Sequence, residues 1–201
     1  MSRTFYTYAI YFTALSGILI FVQSIVYFAI GPRIFELATT PACVFLSLGV
    51  AFVNWLLMFV YFRYRNYQFA LWVVVAVGVT NTLQAFSLLK ILTTREITPF
   101  FALTSLLTVV AGIVFGVSLV VSRAKERYWI RLAGFSSFVV GLIGLTTIAW
   151  GLTSVDARVD GTIETLDKLQ SFAQCITPIF FILNFLNERA AASHSVRDGS
   201  L

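Results

Sequence analysis

Charged residues are scarce in this sequence. Only 11% of its 201 residues are charged, whereas a soluble domain has about a quarter. The scarcity is concentrated in six stretches of 19 to 29 residues that contain no charged side chain at all. A soluble fold has no means of covering so much apolar surface, but lipid solvates it without cost. The composition therefore excludes an ordinary soluble protein.

Histidine and cysteine are also scarce, which narrows the chemistry. The only histidine, His194, follows the last apolar stretch, so a histidine-ligated haem within the membrane is excluded. Cys43 and Cys175 form no CxxC and lack metal-type spacing. We interpret them as small apolar side chains, with a disulfide bridge between them as the alternative, because the topology below places both near one membrane face.

Ionisable and catalytic constellations are missing too. No acidic residue, histidine or lysine lies in the middle of an apolar stretch, whereas proton pumps and proton-coupled carriers rely on such groups. The sequence has no GxSxG or HExxH, and no Ser/His/Asp or Cys/His set that would meet at one depth. We therefore predict that the protein is not an enzyme and uses no cofactor.

What the chain does have is apolar length. Hydrophobic residues make up 59% of it, including 20 phenylalanines. A bilayer core about 30 Å thick is crossed by about 20 helical residues. The sequence predicts an all-α, polytopic integral membrane protein with six transmembrane helices in one bundle (1–187) and a disordered cytosolic tail (188–201). The predicted spans are 6–30, 41–62, 68–89, 99–122, 128–152 and 169–186.

The basic residues predict the orientation. With the N-terminus inside, nine of the 14 Lys and Arg residues fall in inner segments, and inner loops of membrane proteins are enriched in these residues. The nine are Arg3, Arg63, Arg65, Arg123, Lys125, Arg127, Arg131, Arg189 and Arg197. All tyrosines except Tyr27 also lie toward the inner ends, as an interfacial belt would. We predict that both the N- and C-termini lie inside.

Uncharged polar residues recur at helical spacing within the spans. Amide side chains that faced lipid would be unsatisfied, so these residues are predicted to point into the bundle. Two readings remain open: a path for a solute, or hydrogen bonds that hold neighbouring helices together. The candidates for the solute path are Gln23, Asn54, Asn81, Gln84, Gln170, Gln174, Thr177 and Asn184.

Pro178 lies within the sixth predicted span, between the polar residues of that stripe. Its ring has no N–H and clashes with the carbonyl four residues earlier, at Gln174. We expect a kink here, which would free backbone carbonyls for a cavity.

Small residues predict close helix contacts. Gly112 and Gly116 form a GxxxG in the fourth span, and Ser137 and Gly141 belong to a small-residue ladder in the fifth. Because these spans are consecutive, we assign the contact to the inside of the bundle. A contact between protomers is the alternative.

The connection before the sixth span carries four acids at regular spacing around Gly161: Asp156, Asp160, Glu164 and Asp167. Over twelve residues this string resembles an EF-hand calcium loop, and the resemblance implies these acids as metal ligands. Arg158 stands where the third ligand belongs, and the final position has Asp instead of the bidentate Glu. We therefore favour a solvated acidic loop with an Asp-Gly turn.

Function follows by elimination. The net charge of +5 is spread singly or in short groups at span ends, which disfavours nucleic acid as a partner. We predict a multi-pass membrane protein that is a channel, transporter or binding subunit for a small uncharged or weakly polar solute. The alternative is a scaffold or accessory subunit that packs with partner proteins in a membrane complex. The lipid bilayer is the expected environment, with a homo-oligomer or membrane protein partners as further expectations.

Overall fold

A computed structural model of the chain describes residues 1–31, 37, 39–94, 99–121, 128–153 and 161–197. The regular structure of these residues is α-helical, which confirms the predicted all-α class. The helices are α1 (Arg3–Ile30), α2 (Thr40–Tyr64), α3 (Gln68–Thr94), α4 (Pro99–Val121), α5 (Tyr128–Thr153), α6 (Thr162–Ala173) and α7 (Ile176–Arg197).

Six helical stretches of the described chain are long and apolar enough to cross a membrane. Five of them are α1 to α5, and the sixth combines α6 and α7 from Thr162 to Ser193. Their outward surfaces carry large apolar side chains in contact with the surroundings, such as Trp72, which is 68% exposed. This combination is that of a multi-pass membrane protein.

The sixth span differs most from its predicted bounds of 169–186. It begins at Thr162. The charged side chains of α6 do not prevent a helix, and they allow this one to extend beyond the hydrocarbon layer. At the other end α7 continues to Arg197, where the sequence predicted a disordered tail from Glu188. An alanine-rich stretch favours helix there, and Glu188 is held by Arg65. Asp198–Leu201 lie outside the described residues.

Local sequence signals mark several helix ends. The Ser2 hydroxyl accepts a hydrogen bond from the backbone amide of Phe5 at 3.2 Å and caps α1. Pro41 occupies the first turn of α2, where its missing N–H has no helical partner. Asn66, with φ of 59°, makes the tight turn between α2 and α3, a conformation that asparagine tolerates well.

The spans form a closed ring in chain order. Each of the helices α1 to α5 packs against the next, and α6 and α7 pack against both α5 and α1. The Tyr6 hydroxyl of α1 donates to a carboxylate oxygen of Glu188 on α7 at 3.2 Å, so both ends of the described chain lie at one end of the ring. We call this the terminal end and the opposite one, at Ile30 and Thr94, the far end.

Helices α4 and α5 approach each other closely at small residues. A Cβ at Gly116 would lie 2.6 Å from the carbonyl oxygen of Gly134, so any larger residue there would separate the helices. Gly141 is crowded in the same way by Ile113. Gly112 differs, because a Cβ there would meet no atom within 4 Å. The Ser137 hydroxyl donates to the Gly112 carbonyl at 3.2 Å.

An aromatic core fills the terminal end of the ring. Tyr61, Phe62 and Phe185 are fully buried, and the rings of Tyr61 and Phe185 meet edge to face at 5.2 Å. Phe181 stacks against Phe185 with a centroid separation of 6.3 Å. Such aromatic pairs pack efficiently and leave little space for water.

Candidate functional site

A cavity of about 240 Å³ lies at the centre of the ring, and all six spans contribute to its wall. We call it the central cavity. Its polar lining consists of Thr13 and Ser16 from α1, Asn54 from α2, Ser137 from α5, and Gln174 and Thr177 from the sixth span. A central space that every span borders is the geometry that small-molecule sites favour in helical bundles.

The sixth span is interrupted beside this cavity. The amide of Cys175 bonds to the carbonyl of Phe172 at 3.1 Å, instead of to the carbonyl of Ser171. The Ser171 carbonyl accepts the hydroxyl of Ser24 from α1 at 2.9 Å instead. Pro178 follows within one turn and cannot donate to the carbonyl of Gln174. The distortion expected near Pro178 is therefore a helix break at Gln174–Cys175.

Close packing holds the break in place. A Cβ at Gly17 of α1 would lie 3.2 Å from the Cβ of Pro178, so the glycine lets the proline approach. Cys175 is a free thiol, as is Cys43, and its sulfur lies 3.7 Å from the Ser171 carbonyl. The Ser24 hydroxyl, itself 3% exposed, ties α1 to the end of α6.

Gln174 carries the largest unpartnered polar group of the central cavity. Within the described part of the chain neither its amide nor the hydroxyl of Ser16 has a hydrogen-bond partner, although both residues border the cavity. By contrast, Thr13 donates to Asn54 at 2.9 Å, and the hydroxyls of Ser136 and Thr177 lie 2.9 Å apart. A carboxamide with free donors and acceptors offers a solute both kinds of hydrogen bond.

Two further polar cavities continue from the central one toward the far end. A far-end cavity of about 410 Å³ shares the residues Ile20 and Gln174 with the central cavity. A lateral cavity of about 330 Å³ shares Gln23 with the far-end cavity and Trp55 with the central one. No charged side chain is among the described residues that line these three cavities.

The opposite side of the central cavity is closed. Met58, Phe115 and Phe181 form its wall toward the terminal end, where the aromatic core begins. Beyond that core, Arg65 forms an ion pair with Glu188, and the Tyr6 hydroxyl bonds to the same carboxylate. We call Tyr6, Arg65 and Glu188 the terminal clamp. The central cavity therefore borders partly polar space on one side and a packed aromatic core on the other.

Six of the eight residues predicted for a solute path border these cavities: Gln23, Asn54, Asn81, Gln84, Gln174 and Thr177. The other two lie elsewhere. Asn184 is 3% exposed and donates to the Tyr61 hydroxyl at 3.0 Å, so it joins α7 to α2. Gln170 packs against Gly144 of α5, where its Nε2 lies 2.6 Å from the position of a Cβ.

Some of the bordering amides also bond to neighbouring helices. Gln23 donates to Ser47 at 2.6 Å, and Gln84 donates to Ser105 at 3.3 Å. Asn81 donates to the Val77 carbonyl of its own helix at 2.8 Å. Gln23 and Gln84 therefore combine helix packing with cavity lining, whereas Asn81 lines a cavity and bonds only within α3.

Sequence reasoning did not identify Thr13, Trp55 or the terminal clamp. Thr13 lies one helical turn before Ser16, which is a usable signal for a polar face. Trp55 has an apolar ring and gives no such signal. The clamp joins residues 59 and 123 positions apart, and this separation hides it from any local pattern.

The acidic string is only partly within the described residues. Asp156 and Asp160 lie outside them. Glu164 forms an ion pair with Lys168 at 2.6 Å, one turn along α6. In the described chain, Asp167 and Glu164 belong to no group of three or more side chains able to hold a metal ion.

No protein-family model, curated protein or solved structure matches this chain.

Proposed function

We propose that this protein binds a small uncharged or weakly polar solute in the central cavity and passes it across the membrane without chemical conversion. The unpartnered amide of Gln174, exposed inside the ring at the helix break, carries the proposal. A polar group in that position loses its hydration unless a solute or water replaces it. The described residues of the lining are uncharged, which favours a neutral solute, since an ion would find no opposite charge among them.

The chain of cavities supplies the route. Polar residues follow one another from the far end to Gln174, whereas aromatic rings and the terminal clamp close the other side. With the termini in the cytosol, as the basic residues favour, the solute enters from outside and is released after the terminal end opens. Opening of the two ends in turn, so that only one is open at a time, is the usual behaviour of membrane carriers.

A scaffold function is the second candidate, and specific contacts favour it. Asn184 bonds to Tyr61, and Gln84 bonds to Ser105, so several amides already serve as links between helices. Interhelical bonds of this kind contribute about 0.6 kcal/mol each. A scaffold would need these bonds but no free amide in a central space.

Gln174→Leu and Asn184→Leu separate the two functions. In liposomes containing the wild-type protein, glycerol and urea should cause rapid swelling. We expect Gln174→Leu to abolish the swelling with little change in thermal stability, because it removes a solute ligand and no bond between helices. Asn184→Leu should lower thermal stability, because it breaks the bond to Tyr61.

The reverse pattern would reject the transport proposal. If Gln174→Leu lowers stability while glycerol and urea swelling persists, the amide is a packing residue and the scaffold function stands. Swelling no faster than that of protein-free liposomes would count equally against transport.

A further inference from the structure

An apolar groove of about 400 Å³ lies between α2 and α3 on the outer surface of the ring. Trp55, Val74 and Gly78 form its floor, because they are less exposed than the residues around them. The rim consists of large side chains that are 39% to 55% exposed: Phe52, Leu56, Val75, Val79 and Leu83. The groove lies near the middle of α2 and α3, which places it in the hydrocarbon layer.

The described lining of the groove has almost no free hydrogen-bond donor or acceptor for a polar group. Its one hydroxyl among the described lining residues, that of Thr82, donates to the Gly78 carbonyl of the same helix at 2.7 Å. The occupant that fits such a surface at this depth is a hydrocarbon chain, because any polar group placed there would lose its hydration without compensation.

Trp55 separates the groove from the polar interior. Its indole borders the groove, the central cavity and the lateral cavity. Val74 likewise borders the groove and the central cavity, so the partition is one side chain thick. The indole faces Gly78 of α3, since a Cβ there would lie 3.4 Å from Cε3 of the ring.

We propose that the groove and the central cavity bind the two halves of one amphiphile. A single acyl chain occupies the groove, an uncharged head with hydroxyl or amide groups occupies the central cavity, and Trp55 is the gate between them. The head must be uncharged because the described cavity lining is uncharged, and it must form hydrogen bonds to use Gln174. The indole closes the passage here and has to turn aside for the head to enter from the bilayer. This lateral entry is a second route beside the far-end one, which small water-soluble molecules such as glycerol and urea take. The inference rests on the proposed function, since it assigns the solute of that function to a chemical class.

Tryptophan fluorescence tests the proposal directly. Trp72, Trp129 and Trp150 are replaced by phenylalanine, so that Trp55 is the sole tryptophan and can be excited selectively, and the protein is placed in nanodiscs of unbrominated lipid. A monoacylglycerol brominated at mid-chain is then titrated. We expect quenching that saturates at a low mole fraction and is relieved by unbrominated monoacylglycerol, but not by an alkane of equal chain length.

Variants connect the quenching to each half of the site. Gly78→Leu fills the groove floor and should raise the half-saturating mole fraction about tenfold, as the loss of two buried methylene contacts would. Gly151→Leu, at an exposed glycine of α5, should leave it unchanged. Gln174→Leu should abolish the preference for the monoacylglycerol over the alkane.

Other outcomes overturn the proposal. Quenching that rises linearly without saturation would show that ordinary bilayer chains occupy the groove. Quenching that disappears when two copies share a nanodisc would show that a second copy of the chain covers it. If glycerol and urea still cross in a Gln174-dependent way in either case, the proposed function survives. If saturable quenching remains but Gln174→Leu does not alter head preference, the central cavity is not the head site and this proposal fails. The proposed function is then judged separately, by whether Gln174→Leu stops glycerol and urea swelling.

Discussion

At the scale of single residues, Gly112 shapes the central cavity by lacking a side chain. A Cβ there would meet no atom within 4 Å, and the residue borders the cavity. We expect Gly112→Leu to fill the cavity and stop glycerol and urea swelling. Thermal stability should be unchanged or raised, since glycine costs a helix about 1 kcal/mol relative to good helix formers. Swelling and thermal unfolding measured on the same preparations check this.

Gly49→Leu is the matched control. Gly49 also has open space around its Cβ position, but it is exposed on the lipid face of α2, between Leu46 and Phe52. It should gain the same helical stability and retain swelling. Loss of swelling in both variants would mean that any leucine in these helices is harmful and that Gly112 has no special place.

The amide side chains show which structural features residue spacing can predict. An inward direction was predictable for Gln174 and Asn184, because neither amide is satisfied in lipid. Their different environments were not, since Gln174 lies at a helix break and Asn184 against the Tyr61 hydroxyl. That difference depends on which residue the neighbouring helix presents, and the spacing within one helix contains no information about it.

At the scale of elements, the terminal clamp joins α1, the turn after α2, and α7. Glu188 accepts from Arg65 and from Tyr6, and its side chain is only 11% exposed. We expect Glu188→Gln to lower the free energy of unfolding by about 2 kcal/mol, the usual worth of hydrogen bonds to a charged group. It should also speed swelling, because the seal at the terminal end weakens. Denaturation and swelling assays measure the two effects.

Glu164→Gln provides the comparison on α6. Glu164 pairs with Lys168 within one helix, and its side chain is 48% exposed. Solvent screens such a pair, so its removal should cost less than about 0.5 kcal/mol and leave swelling unchanged. Equal effects of the two substitutions would show that the clamp is an ordinary surface ion pair.

The sixth span shows why element boundaries were harder to predict than element existence. Pro178 indicated a distortion, and the break lies at Gln174–Cys175. The position of the break depends on Ser24. Its hydroxyl donates to the Ser171 carbonyl, which the break leaves without its helical amide partner. The predicted span began only at 169 because the residues before it are charged. Helix formation does not require an apolar sequence, so α6 begins earlier, at Thr162.

At the scale of the whole molecule, the spans close into a ring in which sequence neighbours are spatial neighbours. Six apolar stretches predicted the number of spans, because the hydrocarbon thickness fixes their length. The ring and its central cavity depend on contacts between α1 and α7, which are far apart in sequence. One-dimensional hydropathy does not record such contacts.

The predicted orientation places the terminal end in the cytosol. Single cysteines at Glu96 and Ser193, in a background lacking Cys43 and Cys175, are treated with an impermeant maleimide on intact cells. We expect labelling at position 96 before permeabilisation and at position 193 only after it, following the bias of basic residues. Labelling at position 193 from outside would reverse the orientation.

The central claim is that water and solute reach the middle of the ring, and cysteine accessibility tests it most directly. Gly112→Cys and Gly49→Cys are made in the same cysteine-free background, and each is treated with a small water-soluble methanethiosulfonate in liposomes. The thiolate is the reacting species, and a thiol ionises only where water reaches it. Both positions have open space around the Cβ, so sterics does not separate them. We predict that Gly112→Cys reacts, that glycerol slows the reaction, and that Gly49→Cys stays unmodified. A Gly112→Cys thiol as inert as that of Gly49→Cys would show a dry bundle and contradict the account.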